Sequence, residues 1–155
     1  MLKEVDIYTD GACSGNPGNG GYGIVLLYNG KRKEISKGYK LTTNNRMEML
    51  AVIDGLNALK ENCIVNLYSD SKYVVDSVTK GWAVKWQKNN WKRNKTENAS
   101  NVDLWIKLLE LLKKHKVNFI WVKGHADNKE NERCDYLART AIENGKLYDD
   151  DGYNK

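Results

Sequence analysis

Four acidic side chains stand where carboxylates can do chemistry. Asp10 closes the alternating segment EVDIYTD, in which Val5, Ile7 and Thr9 fall on one face and Asp6, Tyr8 and Asp10 on the other. Asp70 directly follows a second strand-like segment, IVNLYS. In open α/β sheets, sites gather beyond the carboxyl ends of strands. Two carboxylates on neighbouring strand ends repel unless a cation lies between them. Glu48 lies in TTNNRMEML near the start of a helical pattern, and Asp135 lies in ERCDYLA within the last one. Each also has an ordinary reading. Asp10-Gly11 and Ser69-Asp70-Ser71 are turn or N-cap sequences. Asn45-x-x-Glu48 has the spacing of a capping box, and Asp135 suits an exposed helical position. His125, after Gly124, is more often in such a setting a satisfied loop residue than a catalyst. Cys134 adds a soft ligand, but no second pair stands at zinc spacing. The set is otherwise hard and all oxygen, which points to Mg²⁺ or Mn²⁺.

The stretch YTDGACSGNPGNGGYG, residues 8–23, holds six glycines and the chain's only proline. Gly18, Gly20 and Gly23 fit G-x-G-x-x-G, and Val25 extends the fit to the kinase pattern. A dinucleotide cradle must open a helix, whereas YGIVLLYNG reads as a strand. The other kinase motifs do not occur. The stretch is therefore expected to be a loop between two strands that exposes Asp10 and lets a ligand backbone approach closely.

Positioning these residues requires the following elements. Strands are expected at 4–10, 22–29 and 31–41, the last two joined by an Asn29-Gly30 hairpin turn. A helix at 44–60 follows, then a strand at 64–69 and a short helix at 71–80. A strongly amphipathic helix spans 102–113, with Val102, Trp105, Leu109 and Leu112 on its stripe. A strand at 117–122 and a helix at 131–143 complete the pattern, and 147–155 is expected to be a flexible tail. The order βββαβααβα gives an α/β fold with a mixed five-stranded sheet and helices on both faces.

Length and composition bound the rest. A chain of 155 residues suits a single domain, 1–155. Its longest apolar runs, five residues each at Ile24 to Tyr28 and Met49 to Ile53, are too short to cross a bilayer, and the first ten residues lack the apolar stretch of a secretory signal. Three scattered cysteines argue against a disulfide framework and fit a reducing, cytoplasmic setting. The net charge of +5 comes from residues 80–95, KGWAVKWQKNNWKRNK, with six Lys/Arg and no acid. Outside them, 19 basic residues face 20 acidic ones. Three of the five Trp lie in the same segment, so it reads as a surface for a polyanion or, more plainly, as a solvated helix face with Trp stems on the core.

Taken together, these motifs resemble type 1 ribonuclease H in its bacterial ribonuclease HI form. The match runs nearly end to end: YTDGACSGNPGNGGYG around Asp10, TTNNRMEMLAVIDGL around Glu48, LYSDSKYV around Asp70, GW…W…NVDLW, and VKGHADNKENERCDYLA. The resemblance implies an endonuclease that hydrolyses the RNA strand of an RNA–DNA hybrid, leaving 5′-phosphate and 3′-hydroxyl ends. It implies that Asp10, Glu48, Asp70 and Asp135 bind two Mg²⁺ ions, with Mn²⁺ a possible substitute, and that His125 is a mobile histidine that relays a proton or helps product leave. Cys13, Asn16, Asn44 and Asn45 match minor-groove contacts, where the 2′-hydroxyl separates RNA from DNA. Thr43 and Asn101 match contacts to DNA-strand phosphates. Residues 80–95 match a substrate-binding protrusion, with Trp82, Lys85, Lys88 and Trp91 on the hybrid and Lys92, Arg93 and Lys95 near phosphates. Trp82 and Trp86, one turn apart, are expected to share a docking face. Lys72 departs from the pattern, standing where Gln is common, and would act on the substrate as a point charge. Asp127 is a further departure. The expected partner is the hybrid duplex, with no membrane and a monomeric chain. A non-catalytic binding module of the same shape would not need the four acids; a related nuclease or strand-transfer domain usually lacks the Asn pair and the Trp-rich protrusion.

Overall fold

The computed structural model describes residues 2–123 and 128–153. The strands β1 (Lys3–Ser14), β2 (Gly18–Tyr28) and β3 (Lys31–Thr42) form an antiparallel meander. Then come α1 (Asn44–Asn57), β4 (Cys63–Ser69), α2 (Lys72–Thr79), α3 (Trp82–Lys88), α4 (Val102–Lys114), β5 (Lys116–Trp121), α5 (Lys129–Asn144) and β6 (Leu147–Tyr148). The sheet order is β5-β4-β1-β2-β3-β6, with β4 parallel to both β1 and β5 and with β6 parallel to β3. The mixed α/β architecture agrees with the sequence, with one strand and one helix more than expected. No helix among the described residues is long and apolar enough to span a membrane.

The Asn29-Gly30 turn has both residues at positive φ, 50° and 78°, the geometry that matches strand twist in a two-residue hairpin. The glycine-rich stretch, however, is not a long loop. β1 runs on to Ser14 and β2 starts at Gly18, leaving a three-residue turn. Local propensity disfavours glycine in strands, but here packing wins, because helices come closer to this sheet than a Cβ allows. A Cβ on Gly11 would lie 2.5 Å from the Glu48 backbone nitrogen, and one on Gly20 would lie 2.8 Å from the Met47 side chain, so α1 covers that face. Gly21 and Gly23 point the other way, against the backbone oxygens of Ala138 and Cys134 in α5. Helices therefore cover both faces.

Between the sheet and α4, α1 is buried almost all round, from Met47 through Leu56. Leu104, Trp105, Leu108, Leu109 and Leu111 of α4 close that core, a wider stripe than the expected one. On the other face α5 buries Cys134, Ala138 and Ala141, small residues one turn apart that let it sit on the glycines.

Residues 147–153 do not form the flexible tail expected. Tyr148 pairs with Tyr39 across β3, and its ring lies 6.5 Å from that of Tyr39. Asp150 accepts from the Arg46 guanidinium at 2.7 Å and from the Thr42 hydroxyl at 2.6 Å. Arg46, only 2% exposed, also grips Asp103 of α4 at 2.7 Å. The reason is charge: a guanidinium buried at the start of α1 needs carboxylates, and the chain end supplies one.

Candidate active site

Three of the four acids converge. Asp10 lies within β1 opposite Gly23, one residue past the last β1–β4 pair rather than at the strand end expected, Asp70 follows β4 on the next strand, and Glu48 projects from the first turns of α1. One carboxylate oxygen from each lies within 4.8 Å of the others. Gly11 makes this possible by admitting α1 to the strand beside Asp10. Asp135 on α5 lines the same cavity, of about 410 Å³, but stands outside the tight trio and is held by Arg139 at 2.9 Å.

The cap readings of Glu48 and Asp70 are not realised. Thr43, not Asn45, caps α1, its hydroxyl accepting from Arg46 N–H at 3.2 Å, so Glu48 has no capping task. Ser71, not Asp70, caps α2 by accepting from Val74 N–H at 3.2 Å.

The electrostatics are severe. Burial first, then the charge and hydrogen bonding of Asp70 and the charge of Asp135, push the Asp10 carboxyl up to about 9, against one favourable hydrogen bond from Gly11 N–H. Glu48 is driven well above the usual carboxylate range by burial and then by Asp10 and Asp70. Glu48 Oε1 and Asp70 Oδ1 are buried without any hydrogen-bond partner. Buried carboxylate oxygens left unsatisfied are costly, and either protons or a cation must compensate them. Hard oxygen donors at this spacing fit a divalent cation such as Mg²⁺ or Mn²⁺. Cys134 takes no part, since its thiol donates to Tyr8 O at 3.2 Å and burial raises its pKa.

Around the trio, Asn44, Asn45 and Lys72 line the cavity wall. Asn16 accepts from Asn44 N–H at 3.1 Å, fixing the β1–β2 turn against α1. The Cys13 thiol is turned to the backbone oxygens of Thr42 and Gly18, at 3.5 and 3.6 Å. Asn101, at φ 60°, does not cap α4 with its side chain; its Oδ1 accepts from Arg46 at 3.4 Å and its amide donates to the Tyr73 hydroxyl at 3.2 Å.

The basic Trp-rich segment is a helix and turn docked by Trp86, whose ring packs edge-on against Trp105 at 6.0 Å. Trp82 does not share that docking role: it is 41% exposed, with Lys80 over its ring at 5.4 Å. Trp91 is partly buried against the core. Lys85 and Lys88 are exposed, whereas Arg93 is engaged by Glu97 at 2.7 Å. A second cavity, about 430 Å³, lies between Trp82, Lys85, Trp86 and Tyr73. Tyr73 also lines the acidic cavity, so the two adjoin. His125 and Asp127 lie outside the described residues. Trp121 escapes a reading of the sequence, yet it ends β5 beside Ser69 and donates its indole N–H to Asp70 O at 3.2 Å. Its signal was a large aromatic at a third strand end.

With this geometry in place, the comparisons with known proteins are specific. The family model described as RNase H matches residues 2–143. The ribonuclease H of Syntrophus aciditrophicus is 62% identical over 151 residues, which cover 97% of this chain and 87% of that protein. That of Trichodesmium erythraeum is 63% identical over 150 residues, covering 97% and 96%. Among solved structures, LC9-RNase H1, described as a type 1 RNase H with the type 2 active-site motif, shares the fold with a TM-score of 0.84 at 31% identity, over 94% of this chain and 75% of its own. The chain, whose α/β sheet and α1 bring three acids together and which is matched over nearly its whole length, therefore belongs to the ribonuclease H family.

Proposed function

We propose that the acidic cavity hydrolyses the RNA strand of RNA–DNA hybrids internally, leaving 5′-phosphate and 3′-hydroxyl ends. The observation that carries this reading is the trio of carboxylates within 4.8 Å, with two buried oxygens that have no partner. Asp10, Glu48 and Asp70 would hold divalent metal, with Asp135 across the cavity as a further ligand. Two Mg²⁺ ions, or Mn²⁺ in their place, would supply Lewis-acid stabilisation of the phosphate and a water of lowered pKa.

The remaining residues bind and orient. Asn44, Asn45 and Asn16 present amides at the start of α1, suited to a 2′-hydroxyl in a shallow minor groove, with Cys13 beside them. Thr43 and Asn101 would meet phosphates of the DNA strand. Lys85 and Lys88, with Trp82, would follow the hybrid backbone along the adjoining cavity, and Lys72 would meet a phosphate at the acidic one. Trp91 would support that surface from beneath. His125 would carry a proton or assist product release. Backbone contacts carry no base information, which suits cleavage at many sequences. The three cysteines are free thiols, which suits a monomer working in the reducing cytoplasm.

The test uses end-labelled hybrid, duplex DNA and duplex RNA, each with Mg²⁺ and then with chelator, against wild type and Asp10→Asn. The expected result is cleavage of the hybrid alone, lost with chelator and in Asp10→Asn, while metal-free hybrid binding persists. Cutting of all three duplexes, or full activity in Asp10→Asn, would overturn the reading.

A further inference from the structure

Next to Asp70 and Lys72 of the acidic cavity stands Trp121, 43% exposed. Singly exposed aromatics are ordinary, but this one is engaged in two directions. Its indole N–H donates to the backbone oxygen of Asp70 at 3.2 Å. Its ring carries the Lys72 ammonium, 4.8 Å from the centroid and well inside cation–π range. The sheet fixes the arrangement, because Trp121 is the register partner of Ser69 and Val122 N–H donates to Ser69 O at 2.9 Å.

Lys72 is the one cation among the described residues that line this cavity. A flexible lysine beside three acids would be expected to collapse onto them. Among the described residues it forms no ion pair with Asp10, Glu48, Asp70 or Asp135. It rests on the indole face instead.

We propose that Trp121 is a positioning residue for the reaction. Its ring parks the Lys72 ammonium at the cavity mouth, where it receives a phosphate of the hybrid without neutralising the acids. Its N–H steadies the turn that carries Asp70. The two effects separate chemically: phenylalanine keeps a ring and loses the N–H, while leucine loses both. This inference rests on the hybrid-cleaving function proposed above.

The test is a double-mutant cycle with Trp121→Leu, Lys72→Gln and the pair, plus Trp121→Phe, read two ways. Metal-free hybrid binding is followed across a salt series. Lys72→Gln is expected to reduce the salt slope by about one. Trp121→Leu should weaken binding about three-fold, the scale of an exposed cation–π contact, and lose the same slope. The double variant should be no worse than Lys72→Gln alone, and Trp121→Phe should keep the wild-type slope. Steady-state cleavage with Mg²⁺ should show a lower kcat for both Phe and Leu variants. Additive losses in the cycle, or a wild-type slope in Trp121→Leu, would overturn the lysine-platform half. An unchanged kcat in Trp121→Phe would overturn the Asp70 half. Wild-type protein that leaves hybrid intact would instead overturn the functional reading itself.

Discussion

Replacing Asp10 with asparagine should make the metal-free protein more stable while removing its activity. Asp10 is buried beside Glu48 and Asp70, and its carboxyl titrates at about 9 rather than 3.8. At pH 7 the folded protein must therefore take up a proton that the unfolded chain does not hold. The gap from 3.8 to pH 7, at about 1.4 kcal/mol per unit, sets a cost of about 4 kcal/mol. Asparagine needs no proton, and its amide can donate to the unpartnered Glu48 and Asp70 oxygens. The sign follows from linkage. A carboxyl whose pKa is raised by folding contributes its full stability below its unfolded value and loses it as pH climbs through about 9. Wild type with chelator should therefore lose stability from pH 5 towards 9, and Asp10→Asn should lose less. At pH 7 the variant should melt about 10 °C higher, given about 2–4 °C per kcal/mol for this size. The assay is thermal or urea unfolding of both proteins with chelator at pH 5.5, 7 and 8.5, repeated with Mg²⁺. Bound cation stabilises only the native wild type, so the gap should shrink with Mg²⁺. An Asp10→Asn protein that is less stable than wild type with chelator, or a gap that does not widen with pH, would refute the reasoning.

Changing Lys85, Lys88 and Lys92 together to Ala should raise KM and lower the salt slope by about three, at about one per phosphate contact; an unchanged KM would place the hybrid elsewhere. Asp150→Ala should cost about 3 kcal/mol in urea unfolding, because it strips a buried guanidinium of one of its two carboxylates. Asp103→Ala should cost less, since that carboxylate is partly exposed.

Asp10 and Asp70 are legible because hydrophobic alternation stops at each and the parallel strands then bring them together. Glu48 and Asp135 are legible only through the resemblance, since their spacing alone also fits a cap and an exposed helix position. Thr43 and Asn45 are both favoured N-cap residues, and the structure uses Thr43, as a helix beginning at residue 44 requires. Two-residue β6 carries no periodicity, and it exists because Asp150 finds Arg46 over a hundred residues away. Trp82 and Trp86 look equivalent one turn apart, but only Trp86 reaches Trp105. Trp121 is hidden for the same reason: its meaning depends on Asp70 and Lys72, which belong to another strand and helix.

Gly23 lies opposite Asp10 in the sheet, directly beneath the Cys134 carbonyl, one peptide from Asp135. It does not line the acidic cavity, yet it sets the spacing between two acids that approach from different elements. A single methyl group there would lift α5 and carry Asp135 outward with it. In a survey of tolerated substitutions, this position should look as intolerant as the carboxylates themselves, although its entire contribution is the room it leaves.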